Sequence, residues 1–194
     1  MTDTVKILAF AGSTRAGSLN KKIVKITAHA ASAAGADVTV IDLRDYPLPI
    51  YDGDDEVANG VPLNALKLKQ LFKENDGLII ATPEYNTSIS GVLKNAIDWV
   101  SRPIEGEASL ECFTGKTVGI VSASPSPFGG MRAQAHLRQI LSGINMLVIP
   151  EHCSVGSAND DSFDEEGNLK DEMGQGRLQR VGSSLVALLQ RMVD

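Results

Sequence analysis

The sequence predicts an α/β fold: one domain with five parallel strands in the order 2-1-3-4-5 and helices on both faces of the sheet. Apolar runs that suit strands alternate with amphipathic runs that suit helices, which is typical of parallel sheets. The run over residues 77–81 is continuously apolar, as expected for a strand buried on both faces. Right-handed crossovers leave few other topologies, and 194 residues suit a single domain.

The individual elements follow from these patterns in chain order. The predicted strands span residues 5–11, 37–42, 77–81, 117–123 and 146–150. Helices are predicted over 19–34, 90–101 and 130–142. A further helix is predicted to begin at Pro62 and to carry Leu63, Leu66 and Leu71. The last helix is predicted to have one apolar face, formed by Leu178, Val181, Leu185, Leu188 and Met192. Gly35 is expected to end the first helix in a left-handed conformation. Residues 43–61 mix acidic residues with prolines and glycines, so we expect a long loop there.

Composition excludes several classes of function. The net charge of −6 argues against binding to nucleic acid, because phosphate backbones select basic surfaces. Cys112 and Cys153 are far apart and form no Cys-x-x-Cys motif, so we expect two small buried side chains and no disulfide. With neither an N-terminal leader nor an apolar run of about 18 residues, the sequence predicts a cytoplasmic protein with no membrane partner.

The loop after the first strand, residues 12–20 (the first loop), has the composition of a phosphate site. It joins a strand to a helix, so backbone N–H groups and the positive end of the helix dipole converge there. Its polar side chains are Ser13, Thr14, Arg15, Ser18 and Asn20. It has neither the lysine of a P-loop nor the glycine pattern of a dinucleotide site, so a monophosphate ester fits best. The alternative is a polar turn in which Ser18 only caps the helix.

Two more loops of unusual composition follow the third and fourth strands. In residues 82–88 (the second loop), Pro83 fixes the backbone, Tyr85 offers a flat aromatic face and Asn86 can donate and accept hydrogen bonds. This combination suits a planar heteroaromatic ligand, and a rigid turn with an incidental tyrosine is the alternative. Residues 122–130 (the third loop) are mostly small and allow close backbone approach to a ligand. Three such loops at neighbouring strand ends indicate a site for FMN.

These residues resemble those of the NADPH-dependent FMN reductases, a family that includes soluble quinone and chromate reductases. The matching segments are residues 12–15, 18–20, 83–86 and 90–99. The resemblance follows nearly the whole chain in order and is weakest after Pro150. It implies a flavodoxin-like three-layer sandwich that spans residues 1–194 as one FMN-binding domain.

The resemblance also assigns roles to particular residues. It implies that FMN is held at its phosphate and ribityl chain by Ser13, Arg15, Ser18, Leu19 and Asn20, that its isoalloxazine ring is lined by Pro83, Glu84, Tyr85 and Asn86, and that Ser122 and Ser124 approach the far side of the ring or the ribityl oxygens. No catalytic side chain is expected, because the flavin carries the chemistry. No metal site is expected either.

The implied activity is that of an FMN-dependent NAD(P)H oxidoreductase. Hydride would pass from NADPH or NADH to FMN and then, in a ping-pong sequence, to a small acceptor such as a quinone, chromate, an azo compound or free flavin. The family implies a homodimer or homotetramer with the helix over residues 90–101 near the interface. Trp99 would then lie at that interface, or else pack within the monomer.

Two other functions stay open at this point. A flavodoxin-type electron carrier or a flavin-binding sensor would also bind FMN but would not be reduced by NAD(P)H. Arg15 in the first loop argues against the carrier, whose phosphate loops are generally richer in Ser and Thr. Arg15 and Arg102 are the basic residues expected nearest a nucleotide 2′-phosphate.

Overall fold

The computed structural model describes residues 4–193 and contains one parallel five-stranded sheet. The strands are β1 (Lys6–Ala11), β2 (Asp37–Asp42), β3 (Gly77–Ala81), β4 (Thr117–Ala123) and β5 (Leu147–Val155). They lie in the order β2-β1-β3-β4-β5, and every neighbouring pair is parallel. The predicted fold and strand order are therefore confirmed.

The α-helices in the described residues are α1 (Leu19–Ala33), α2 (Gly53–Asn59), α3 (Leu63–Glu74), α4 (Gly91–Val100), α5 (Met131–Gly143) and α6 (Glu172–Val193). Helices α1 and α6 cover one face of the sheet and α3, α4 and α5 the other, whereas α2 buries no residue. Gly35 follows α1 with a φ of 99°, as predicted from its position. None of the helices within residues 4–193 is both long enough and apolar enough to cross a membrane.

Alternation of side chains along the strands divides the core into two halves. Ile7 and Ala9 of β1 belong to an apolar cluster with residues of α1 and α6. Leu8 and Phe10 point to the opposite face and belong to a second cluster with residues of α3, α4 and α5. Both faces of the sheet are therefore buried, and its carboxyl edge remains as the place for a ligand.

The prediction of a loop over residues 43–61 was wrong in part, because Gly53–Asn59 form helix α2. The Asp52 side chain caps this helix by accepting from the backbone N–H of Asp54, and three acidic residues occupy the first turn. Gly60 ends it with a φ of 75°. No residue of α2 is buried, so it has no apolar stripe by which periodicity could have revealed it.

Residues 49–51, which precede α2, pack on α4 and explain why Trp99 is buried. The carbonyl of Pro49 accepts hydrogen bonds from Trp99 Nε1 and from Asn95 Nδ2, both at 2.8 Å. The ring of Tyr51 meets the Trp99 ring edge-on, with centroids 5.0 Å apart. Trp99 is fully buried by its own chain, so the interpretation that it packs within the monomer is the one the structure bears out.

Strand β5 is longer than predicted, since it continues through Pro150 to Val155. The register with β4 shifts between Val118 and Ile120, which places Pro150 in a bulge. β5 is an edge strand, and a proline without an N–H is tolerated at an edge or a bulge. The longer strand brings the segment after it to the same edge of the sheet as the predicted loops.

The predicted apolar face of α6 is correct over most of its length and wrong at its end. Leu178, Val181 and Leu185 are buried, whereas Met192 is half-exposed. Val186 and Leu189 are the further residues of this helix that enter the core.

Candidate active site

The carboxyl ends of β1, β3 and β4 meet at one cleft of about 260 Å³. Most of the predicted site residues line it, namely Ser13, Arg15, Ser18, Leu19, Asn20, Pro83, Glu84, Tyr85 and Ser124. Six residues that were not predicted to bind FMN also contribute: Gly17, Ala123 and Pro125 belong to the predicted first and third loops, and Ala158, Asn159 and Asp160 follow β5. Asn86 and Ser122, also predicted for the site, lie outside the lining of the cleft.

The first loop is fixed to the sheet and to α4 at its start. Gly12 donates its N–H to the carbonyl of Ala81 at 2.9 Å, and its own carbonyl accepts from Ser90 Oγ at 2.6 Å. A Cβ at Gly12 would lie 2.8 Å from side-chain atoms of Leu93, so only glycine allows this approach. Ser90 Oγ also accepts from the N–H of Leu93 and caps α4. Ser90 thus joins the first loop to α4, the helix that follows the second loop.

The amino terminus of α1 opens on the cleft without a side-chain cap. Ser18 occupies the N-cap position, yet its hydroxyl accepts no hydrogen bond from the helix. Within residues 4–193, the backbone N–H groups of Leu19 and Asn20 have no protein acceptor. Free N–H groups at the positive end of a helix dipole, beside serine hydroxyls, favour a bound anion.

Asn20 connects the first loop to the third. Its Nδ2 donates to the carbonyl of Ala123, and its Oδ1 accepts from the N–H of Ala123, both at 2.9 Å. The side chain is buried and makes this double contact across 103 residues. Asn20 therefore sets the distance between two walls of the cleft.

The second loop contains a tight turn with left-handed residues. Tyr85 and Ser88 exchange backbone hydrogen bonds of 2.9 and 3.1 Å, while Asn86 and Thr87 between them have φ values of 50° and 67°. Positive φ at both central residues is the pattern of a type I′ turn. The turn leaves the ring of Tyr85 about half-exposed at the mouth of the cleft.

Glu84 ties the second loop to the start of α5. Its Oε1 forms an ion pair with Arg132, and its Oε2 accepts from the backbone N–H groups of Arg132 and Ala133 at 3.1 and 3.4 Å. Burial acts to raise the pKa of Glu84, but these donors outweigh it and hold the pKa below its ordinary value. The carboxylate is thus ionised and engaged, and its backbone N–H remains without an acceptor within residues 4–193.

Ser122, the first residue of the third loop and still part of β4, is fully buried. Its hydroxyl donates to the carbonyl of Gly129 at 2.6 Å and accepts from Gln134 Nε2 at 2.7 Å. Gln134 Nε2 also contacts the carbonyl of Cys153 at 2.7 Å. Because a Cβ at Gly130 would lie 2.9 Å from Ser122, glycine is required where the loop enters α5. The Ser122 hydroxyl therefore holds the far end of the third loop in place through the carbonyl of Gly129.

A fourth wall comes from residues 156–163 (the fourth loop), which follow β5. Ala158 donates its N–H to the carbonyl of Ser124, and Ser157 donates to Ser126, both at 3.0 Å. The signal for this wall was available: β5 neighbours β4, so the loop after it must reach the same edge. The prediction of a short β5 that ends at Pro150 concealed it.

Arg102 lies away from this cleft. It follows the carboxyl end of α4, and its side chain contacts Tyr51 and Ser101. The cleft is at the opposite, amino-terminal side of α4, where Ser90 meets the first loop. Of the two basic residues expected nearest a 2′-phosphate, only Arg15 lies at the site.

The fold and the site define a flavodoxin-like protein with a cleft, lined by donors that suit an anion, at the point where the connections from β1 and β3 diverge. The comparison with family models then gives the particular group. The model of the NADPH-dependent FMN reductases matches residues 5–160, and the chain belongs to that family.

Individual relatives agree with this assignment. An NAD(P)H-dependent FMN reductase of Pseudomonas aeruginosa is 35% identical over 192 residues and covers 99% of both chains. A quinone reductase of Escherichia coli K12 is 33% identical over 188 residues, which are 96% of this chain and 95% of that one. Among solved structures, the flavoenzyme NAD(P)H:(acceptor) oxidoreductase FerB of Paracoccus denitrificans has a TM-score of 0.81 and 28% identity, over 97% and 98% of the two chains.

Family membership confirms several of the predictions. The chain is an oxidoreductase whose cofactor is FMN and whose co-substrate is a reduced nicotinamide nucleotide. The alternative of an electron carrier is not favoured: an archaeal flavodoxin shares only 10% identity, at a TM-score of 0.62, which is a likeness of fold alone. The assignment of single residues to FMN stays a prediction.

Proposed function

We propose that the cleft between the four loops holds FMN, with its phosphate at the amino terminus of α1. The observation that carries this proposal is the uncapped helix end, where the Ser18 hydroxyl and the N–H groups of Leu19 and Asn20 face no protein partner within residues 4–193. The fit with a phosphate monoester is chemical, because helix N–H groups, serine hydroxyls and one arginine are the donors that such a group takes.

The site residues then divide into those that would touch FMN and those that would position others. Direct contacts are proposed for Ser13, Arg15, Ser18, Leu19, Pro83, Glu84, Tyr85 and Ser124. A direct contact is also proposed for Asn86, which lies outside the lining of the cleft but follows Tyr85 in the second loop. Asn20 and Ser122 would act mainly through the loops that their side chains hold, since Asn20 is bonded to Ala123 and Ser122 to Gly129. Glu84 would offer its backbone N–H, because its carboxylate is engaged with Arg132.

Bound FMN supplies the capacity to accept a hydride and to pass electrons on. The protein's part is to orient the ring and to place donors near it. The N–H groups of Glu84 and Asn86 have no acceptor within residues 4–193 and would stabilise negative charge on a ring beside the second loop. The ion pair of Glu84 with Arg132 holds that loop against α5, so these donors are positioned before the ligand arrives.

We propose a quinone as the acceptor, and that it uses the same open cleft as NAD(P)H in alternation. The support is the name of the Escherichia coli relative and the exposed aromatic face of Tyr85 at the mouth, which suits a flat apolar substrate. Chromate, an azo compound or free flavin remain the other acceptors to compare.

We further propose a homodimer in the cytoplasm. Ile50 and Val57 are 87% and 89% exposed; Ile50 lies between Pro49 and Tyr51, which contact Trp99 of α4, and Val57 lies in the helix α2 that follows. We propose that these side chains belong to one apolar patch, because contiguous exposed apolar patches mark surfaces for association. The two cysteines, Cys112 and Cys153, are free and buried, which suits a reducing compartment.

The test of the activity is an anaerobic titration of the FMN-loaded protein with NADPH, followed by flavin absorbance and then by addition of a quinone. We expect the absorbance to bleach with NADPH and to return with the quinone. Flavin that stays oxidised would contradict the reductase activity in this chain, and a chain that retains no flavin would contradict the proposed site. A flavin that bleaches but is not reoxidised by the quinone would reject the quinone as acceptor.

A further inference from the structure

The fourth loop places a carboxylate at the phosphate end of the cleft. Asp160 and Arg15 both line the cleft, and Asp160 is largely exposed. A negative charge here opposes the binding of a phosphate group, which itself carries negative charge near neutral pH. Some other group must therefore offset Asp160 if FMN is to bind well.

Lys22 of α1 is placed to do this. Its Nζ lies 2.7 Å from Asp160 Oδ1 and 4.9 Å from the centroid of the Phe163 ring, so a carboxylate and an aromatic face hold the ammonium on two sides. The contact joins α1 to the fourth loop across 138 residues. Hydrogen bonding to Lys22, with the positive charges of Lys22 and Arg15, lowers the pKa of Asp160. The carboxylate thus pairs directly with Lys22, and the positive charge of Arg15 acts on it without an ion pair.

We propose that Lys22 is a specificity-determining residue for the flavin phosphate, and that it acts by neutralising Asp160. Arg15, Lys22 and Asp160 together carry one net positive charge at this end of the cleft, and without Lys22 they would carry none. The proposal rests on the proposed phosphate position at α1. Riboflavin, which has no phosphate, should be indifferent to Lys22.

The experiment compares the dissociation constants of FMN and riboflavin for the full-length protein and its variants by flavin fluorescence titration. We expect Lys22→Met to weaken FMN binding about two- to fivefold, the upper part of the range of an exposed charge pair, and to leave riboflavin binding unchanged. Adding Asp160→Asn to Lys22→Met should return FMN affinity to within about twofold of the original. Lys22→Arg should keep it.

Lys94→Met is the matched control, because Lys94 forms a comparable ion pair with Asp98 at 2.7 Å on α4. It should change neither constant. A double variant as weak as Lys22→Met would overturn the neutralising role, as would equal losses for the two flavins or no loss at all. If the unaltered protein binds FMN no better than riboflavin, the fault lies with the proposed phosphate position and not with Lys22.

Discussion

At the scale of single residues, Arg15 is the most direct test of the phosphate site. Its backbone is held by a bond from its N–H to Ser13 Oγ at 3.3 Å, and its side chain lies at the cleft. Arg15→Ala should weaken FMN binding by about 1.5–3 kcal/mol, the value of a hydrogen bond to a charged group. Equilibrium dialysis measures this. Arg180→Ala, on the exposed side of α6, is the control, and unchanged affinity in Arg15→Ala would remove Arg15 from the site.

Ionised Glu84 stabilises the folded protein, so we expect the free energy of unfolding to decrease as the pH falls below 4.5. Its folded pKa lies below the ordinary 4.5, so its contribution is present above pH 4.5 and is lost as the pH falls through the lowered pKa. Glu84→Gln should reduce the free energy of unfolding at pH 7 by about 1–3 kcal/mol. Urea titrations at pH 7 and pH 3 should show that difference shrink in acid. Glu165→Gln, at an exposed position, is the control for the substitution itself, and a constant deficit for Glu84→Gln would count against the ion pair.

At the scale of elements, the turn in the second loop carries strain that can be measured. Thr87 is β-branched and has a φ of 67°, whereas a type I′ turn favours glycine after asparagine. Thr87→Gly should stabilise the protein by about 0.5–1 kcal/mol, after the added freedom of glycine in the unfolded chain is deducted. Thr114→Gly is the control, because Thr114 is outside the left-handed region and should lose stability. Equal losses in thermal denaturation would refute the strain.

Elements with a buried stripe could be predicted from the sequence, and those without one could not. The bounds of β3 and β4 agree with the prediction, and α4 differs only because Ser90 and Ser101 are its caps. Helix α2 buries no residue, so only its Asp52 cap and acidic first turn announced it. Hydrophobic periodicity detects only helices that have a buried face, whereas α2 is stabilised by its cap and by the acidic residues of its first turn.

At the scale of the whole molecule, the strand order explains which parts of the site the sequence could indicate. Loops after β1, β3 and β4 had unusual composition, and the order 2-1-3-4-5 brings them together. The sequence did not show which polar side chains would form hydrogen bonds or ion pairs with neighbouring loops and helices. The family resemblance assigned Asn20, Glu84 and Ser122 to FMN, whereas their side chains join walls of the cleft.

Association is the property of the whole molecule that the exposed apolar residues predict. Ile50, Val57 and Leu63 are all strongly exposed, and a bond from Asn64 Nδ2 to the carbonyl of Pro47 at 3.0 Å holds their segment in place. Burial of such side chains in an interface contributes about 1.5–3 kcal/mol each. If the proposed dimer forms through these side chains, the double variant Ile50→Asp and Val57→Asp should be a monomer.

Sedimentation equilibrium at matched concentrations measures this change directly. Leu147→Asp is the control, because Leu147 is a half-exposed apolar residue at the start of β5, an edge strand away from α2. It should leave the mass unchanged. Because the residues proposed to contact FMN all lie in one chain, the monomeric variant should still bind FMN. The FMN affinity of this variant is therefore the second quantity to measure. A double variant that stays dimeric would move the interface to another face, and loss of FMN with the partner would show that the site is completed by the second copy.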